Sequence, residues 1–159
     1  MRRDLIALAD ESKVWIYQAD RALSSEELGS IQEAVIEFSH QWKSHGMELD
    51  CYTHVFHSRF LVFVADDTRH VSGCSIDSSV HFIQNLETKY GISFFDRLNY
   101  LYFNEGEIAS VPHLGFKQAI EDGTIHADTL IFNNLVASKR EFLDGWVTEV
   151  QNSWHSRYL

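Results

Sequence analysis

The chain has 159 residues, 45% of them hydrophobic and 23% charged, with one proline and eight glycines. That composition excludes a disordered or low-complexity chain and provides the apolar side chains for a core of ordinary domain size. Thirteen Lys and Arg face 23 Asp and Glu, a formal net charge of -10 at pH 7, which leaves no basic stripe to neutralise phosphates, so nucleic acid is not an expected partner.

The opening MRRDLIALADESKVW carries two arginines, but its apolar run from Leu5 to Ala9 is too short for a signal sequence and acidic residues follow it. No other stretch approaches the roughly 20 apolar residues of a membrane-spanning helix, so a cytoplasmic location is expected. Val14-Trp15-Ile16-Tyr17 is β-branched and aromatic and predicts a first strand. Ser24-Ser25-Glu26-Glu27 then offers a capping box, in which a serine oxygen accepts from the amide three residues on while Glu27 reaches back. Leu28, Ile31, Val35, Phe38 and Trp42 follow at spacings of three and four, one apolar stripe of a helix that stops before Gly46.

DCYTHVFHSRFLVFVA, residues 50–65, predicts two strands that break near Ser58. In the first, Cys51, Thr53, Val55 and His57 alternate with Tyr52, His54 and Phe56. The second, Phe60 to Ala65, is apolar on both faces and should be central. A second helix is expected from about Ile76 to Tyr90, with Ile76, Val80, Ile83 and Leu86 inward and Gly91 as its stop. Leu98 to Phe103 and Glu107 to Val111 predict strands around an Asn104-Glu105-Gly106 turn. A short helix near Leu114 to Glu121, a strand Thr129 to Phe132 and a helix opened by Ser138-Lys139-Arg140-Glu141 complete the chain.

The order β-α-β-β-α-β predicts an α+β fold with a ferredoxin-like core, an antiparallel sheet with both helices on one face and the first and third strands in the middle. A single domain is expected, with its core at about residues 12–111 and a C-terminal α/β extension at about 112–159. The extension would cover part of the sheet, because the doubly apolar strands need burial on a second face.

VWIYQADR at 14–21, WKSHG at 42–46, VSGCSIDSSV at 71–80, FFDR at 94–97, DTLIFNNL at 128–135 and SWH at 153–155 together resemble a family of uncharacterised bacterial proteins of about this length. Its members are often labelled ATPase subunits of ABC transporters, and the resemblance implies no activity, ligand or catalytic residue. An ABC ATPase needs GxxxxGK[ST], whose glycines let backbone amides wrap the phosphates while the lysine and hydroxyl reach phosphate and magnesium. No glycine here is followed by lysine, and GxGxxG is absent as well. The ATPase label is therefore rejected and no cofactor is expected.

Ser72-Gly73-Cys74-Ser75, running into Asp77, is the stretch most suggestive of a site. Free amides at a helix start could bind an anion or favour a Cys74 thiolate, and Gly73 would admit a close approach. Against this, Ser75 is a good N-cap, Ser72 and Gly73 are ordinary turn residues, and a cysteine beside a helix is often a small buried hydrophobe. Asp77 would repel an anion. The two cysteines match no disulfide or zinc pattern and are read as reduced thiols.

The nine histidines form no chelate. His54 and His57 fall on opposite faces of a strand, and His40 and His45 are five apart on a helix. Asp66-Asp67 is read as a turn, so no metal is expected. Arg21 and Arg97 flank strand ends, where each could clamp a carboxylate or phosphate or pair with Asp20 or Asp96. Ser153-Trp154-His155 is read as a tail docked by its tryptophan.

Two functional readings follow. The first is a non-enzymatic ligand- or partner-binding, regulatory domain, monomeric or homodimeric. It would use Ser72, Gly73, Cys74, Ser75 and Asp77 with Arg21 or Arg97 for a small anionic ligand or a protein partner. The second is a small enzyme with Cys74 as nucleophile and a histidine, His45 or His155, as base.

Overall fold

The computed structural model describes residues 1–66 and 73–159, and the capping box read at Ser24 is present in it with both arms. Ser24 Oγ accepts from the Glu27 amide at 3.1 Å, and the Glu27 carboxylate accepts from the Ser24 amide at 2.9 Å. Two orphan donors at the helix start are thereby satisfied, and helix α1 runs Ser25–Gln41. Its stripe buries Ile31 and Val35 and ends on Trp42, which is 1% exposed.

The chain divides into two compact units, Met1–Asp96 with Ala137–Arg140, and Arg97–Val136 with Glu141–Leu159. The expected boundary near residue 111 falls inside the second of these.

In the first unit β1 (Lys13–Gln18), β4 (Cys51–Phe56) and β5 (Phe60–Ala65) form an antiparallel sheet in the order β1-β5-β4. The β4–β5 break lies at His57-Ser58, both at positive φ (55° and 52°), with the Arg59 amide closing onto the Phe56 carbonyl at 3.0 Å. Register places Cys51, Thr53 and Val55 beside Ala65, Phe63 and Leu61 on one face. α1 and α2 (Gly73–Tyr90) pack over that face, bringing Ile31, Val35, Ile83 and Leu86 into the same core. Phe63 is its centre, with rings of Tyr17, Phe38, Trp42 and Phe82 around it. Polar stitches join helix to sheet, since Thr53 Oγ1 donates to the Val35 carbonyl at 2.8 Å and Gln32 Oε1 accepts from the Val55 amide at 2.8 Å. On the other face Phe60, Val62 and Val64 are fully buried too, as a strand apolar on both sides requires.

Three expectations need correction. Lys13–Gln18 is an edge strand of this sheet, where the ferredoxin-like arrangement would place it in the middle. The strand expected to flank it, now β6 (Asn99–Asn104), joins a second sheet, because a tight turn with Glu105 and Gly106 at φ 51° and 81° hands it directly to β7 (Glu107–Pro112). The free side of β1 is met instead by residues 137–140, through a Lys13–Ser138 bridge and a Val14 amide donating to the Ala137 carbonyl at 3.0 Å. The second correction concerns the inward face of α2, which is Ser75, Ser79, Ile83 and Leu86, while Ile76 and Val80 are only half-buried.

The third correction is a hairpin missing from the sequence reading, β2 (Lys43–Ser44) with β3 (Met47–Glu48). His45 and Gly46 form its two-residue turn at φ 51° and 75°, the left-handed pair a type I′ turn demands.

In the second unit the sheet order is β7-β6-β8-β9, with β8 at Leu130–Phe132 and β9 at Val147–Glu149. Helix α3 (Phe116–Glu121) and helix α4 (Lys139–Gly145), which begins in the first unit and enters the second at Glu141, stand where the sequence put helices. The residues 150–158 form two 3-10 turns, whose Val150 enters a core with Tyr102, Phe116, Ile125 and Ile131.

Candidate functional site

The expected site is the start of α2. Ser72 and Asp67 lie outside the described residues. Gly73, Cys74 and Ser75 are the first three residues of α2, so Ser75 is inside the helix and is not its N-cap. Its hydroxyl donates to the Lys43 carbonyl, and its own carbonyl accepts from Trp42 Nε1 at 2.8 Å. Ser75 is 2% exposed, so these bonds weld the first turn of α2 to the 43–48 hairpin. Cys74 and Asp77, on either side of it, are exposed.

The buried thiol is the other one. Cys51 is fully enclosed, its Sγ donates to the Ser39 carbonyl at 3.3 Å, and burial pushes its pKa up to about 11. It is a small core residue.

The two histidines proposed as bases differ sharply. His45 is exposed at the tip of the hairpin whose first strand Ser75 grips. No hydrogen bond joins it to Cys74 among the described residues. His155 belongs to the second unit and is 1% exposed. Its ring stacks on Trp154 at 3.9 Å and meets the Tyr100 and Phe116 rings at 4.9 and 5.6 Å. Burial lowers its pKa to about 4, so near neutrality it is an uncharged core imidazole. The expectation that Trp154 docks this segment is reversed: the histidine is enclosed and the tryptophan half-buried.

Of the two arginines, Arg21 is committed. Its Nη1 and Nη2 each donate to a Glu27 oxygen at 2.8 Å, a bidentate pair with the capping-box carboxylate in place of Asp20 or Asp96. The guanidinium, with the Ser24 amide, holds the Glu27 carboxyl down to about 2. Arg97 is exposed in the second unit and makes no ion pair among the described residues.

Two cations that sequence reasoning passed over are structural. Lys139 is 4% exposed and donates through Nζ to the Ile6 and Leu8 carbonyls at 3.1 and 2.6 Å; its place in the stretch that opens a helix hid that role. Arg2 donates to the Thr53 carbonyl at 2.8 Å and lies over the Tyr52 ring at 4.9 Å. Among the described residues no group of three or more His, Cys, Asp or Glu could hold a metal ion, and no helix is long and apolar enough to cross a membrane.

The chain matches no protein-family model, no curated protein and no solved structure.

Proposed function

We propose that the chain is a non-enzymatic binding and regulatory domain, and that the first turn of α2 with the 43–48 hairpin is its binding surface. The observation that carries this reading is the state of Cys74. The thiol faces solvent on a turn fixed by hydrogen bonds of Ser75 with Trp42 and Lys43. A binding surface needs rigidity and exposure, and this turn has both. A small anionic ligand or a protein partner remains the proposed class of occupant, with a cytoplasmic setting and membership of the uncharacterised bacterial family as parts of the same proposal.

The runner-up is a cysteine enzyme using His45, and one observation favours it: Ser75 ties the turn that carries Cys74 to the hairpin that carries His45. Alkylation of Cys74 by iodoacetamide in the native chain and in His45→Ala separates the two. An unchanged rate is expected for the binding reading. A drop of tenfold or more, about 1.4 kcal/mol of lost activation, would establish His45 as the base and replace it.

A further inference from the structure

We propose that His155 makes the segment Val150–Tyr158 of the second unit an acid-sensitive latch, closed while its imidazole is neutral and opened when Nε2 takes a proton. The neutral form is assigned from the hydrogen bonds of Ser153. Ser153 has one hydroxyl proton, which it donates to the Val150 carbonyl at 3.0 Å, and its oxygen accepts from the His155 amide at 3.1 Å. The 2.9 Å contact between Ser153 Oγ and His155 Nδ1 is therefore an Nδ1–H donating to the hydroxyl. Nδ1 carries the proton, and an acid has only Nε2 to attack.

Among the described residues an imidazolium here meets no counterion. Tyr100 comes from β6, Phe116 from α3, and Trp154 and Tyr158 from the segment itself. The titratable and charged groups facing this cluster are the Tyr100 and Tyr158 hydroxyls, 3.4 Å apart, His113 across the Tyr100 ring at 6.4 Å, and Arg157 over the Trp154 and Tyr158 rings. The Tyr100 phenol, pushed up to about 12 mainly by burial, is neutral, and Arg157 is cationic. Among the described residues no carboxylate contacts the His155 ring. Opening the segment returns the imidazole to water, where its ordinary pKa is 6.5 against about 4 when enclosed.

The sign follows from proton uptake. The open form binds more protons between those two values, so the latch weakens as pH falls from about 6.5 and is weakest below about 4. Opening is favoured by up to about tenfold per pH unit across that window, about 300-fold in all.

Hydrogen exchange of the full chain, corrected for intrinsic rates, tests this at pH 7 and pH 4.5. Protection of residues 150–158 is expected to fall by one to two orders of magnitude, while Phe60–Ala65 keeps its protection. His155→Phe and His155→Gln should lose the pH dependence. Equal protection at both pH values, loss of β5 protection in step, or a fall that persists in the variants overturns the latch. Should neither variant fold at pH 7, the proton NMR titration of the wild-type ring decides. A His155 midpoint below about 5.5 supports the latch and one at or above it overturns it.

Discussion

A thiol in water reacts with soft electrophiles, whereas one that is desolvated and hydrogen-bonded does not. Cys74 meets the first condition and Cys51 the second. A disulfide reagent is expected to modify one thiol per native chain and two after denaturation, with Cys74→Ser abolishing the native reaction. Two rapid equivalents in the native state would contradict the enclosure of Cys51. Glu27 gives a second test at this scale. Its carboxyl is held at about 2 by Arg21 first and the Ser24 amide next, against an ordinary value of 4.5. A depressed carboxyl stabilises the fold above its ordinary pKa and loses that contribution as pH falls through the depressed one. The wild type should therefore lose stability relative to Glu27→Gln between about pH 4.5 and pH 2. Parallel denaturation curves across that window would remove the carboxylate from the helix start.

Helix α1 was legible because its start obeys a local rule: Ser24 and Glu27 are three residues apart and both bonds close within the same turn. Ser24→Ala is expected to cost about 1 kcal/mol, the usual worth of an N-cap, read as a shift in denaturation midpoint. Helix α2 also showed its stop, since Gly91 takes φ 65° and its amide bonds to the Glu87 carbonyl at 2.8 Å. Its inward face was misread because periodicity sees polarity and not partners. Ser75 and Ser79 go inward because their hydroxyls have acceptors there, the Lys43 and Ile76 carbonyls, and a satisfied hydroxyl is tolerated in a core. For the same reason Ser75→Ala should be costly although alanine suits a helix. It strips the part-buried Lys43 carbonyl of a donor, about 1 kcal/mol, and should loosen the Lys43–Glu48 hairpin. An unchanged melting temperature together with unchanged hairpin amide exchange would show that the weld is not made there. The candidate site was legible as a place and not as an arrangement. VSGCSIDSSV marks a helix start, but the hairpin welded to it rests on His45 at positive φ, which nothing but the neighbouring Gly46 announces.

Across the whole molecule the chain crosses between its two units three times, leaving the first at Asp96, returning for Ala137–Arg140 and leaving again at Glu141. Periodicity has no means of reporting such a return, so a boundary placed by element order alone fell inside the second unit. The returning residues are short but heavily used. Ala137 accepts from the β1 amide of Val14, the Lys139 amide donates to the Ser12 carbonyl at 2.8 Å, Lys139 Nζ holds the Ile6 and Leu8 carbonyls, and Arg140 pairs with Asp10 at 3.0 Å. Cutting the chain after Val136 removes all of these from the first unit. From the second it removes β9 and the buried Val150 and His155. Both units should then expose apolar surface that water does not tolerate, so the truncated chain 1–136 is expected to aggregate. The exposed Arg140–Asp10 pair is a weak contributor, as surface ion pairs generally are, and the buried lysine is the stronger one. In the intact chain, Lys139→Met keeps much of the stem's volume while leaving the buried Leu8 carbonyl and the part-buried Ile6 carbonyl without that donor, and should cost about 1–3 kcal/mol; Arg140→Ala should cost under about 1 kcal/mol. If urea denaturation ranked the two variants the other way, or if 1–136 stayed soluble, monomeric and folded, residues 137–140 would not be the clasp of the first unit.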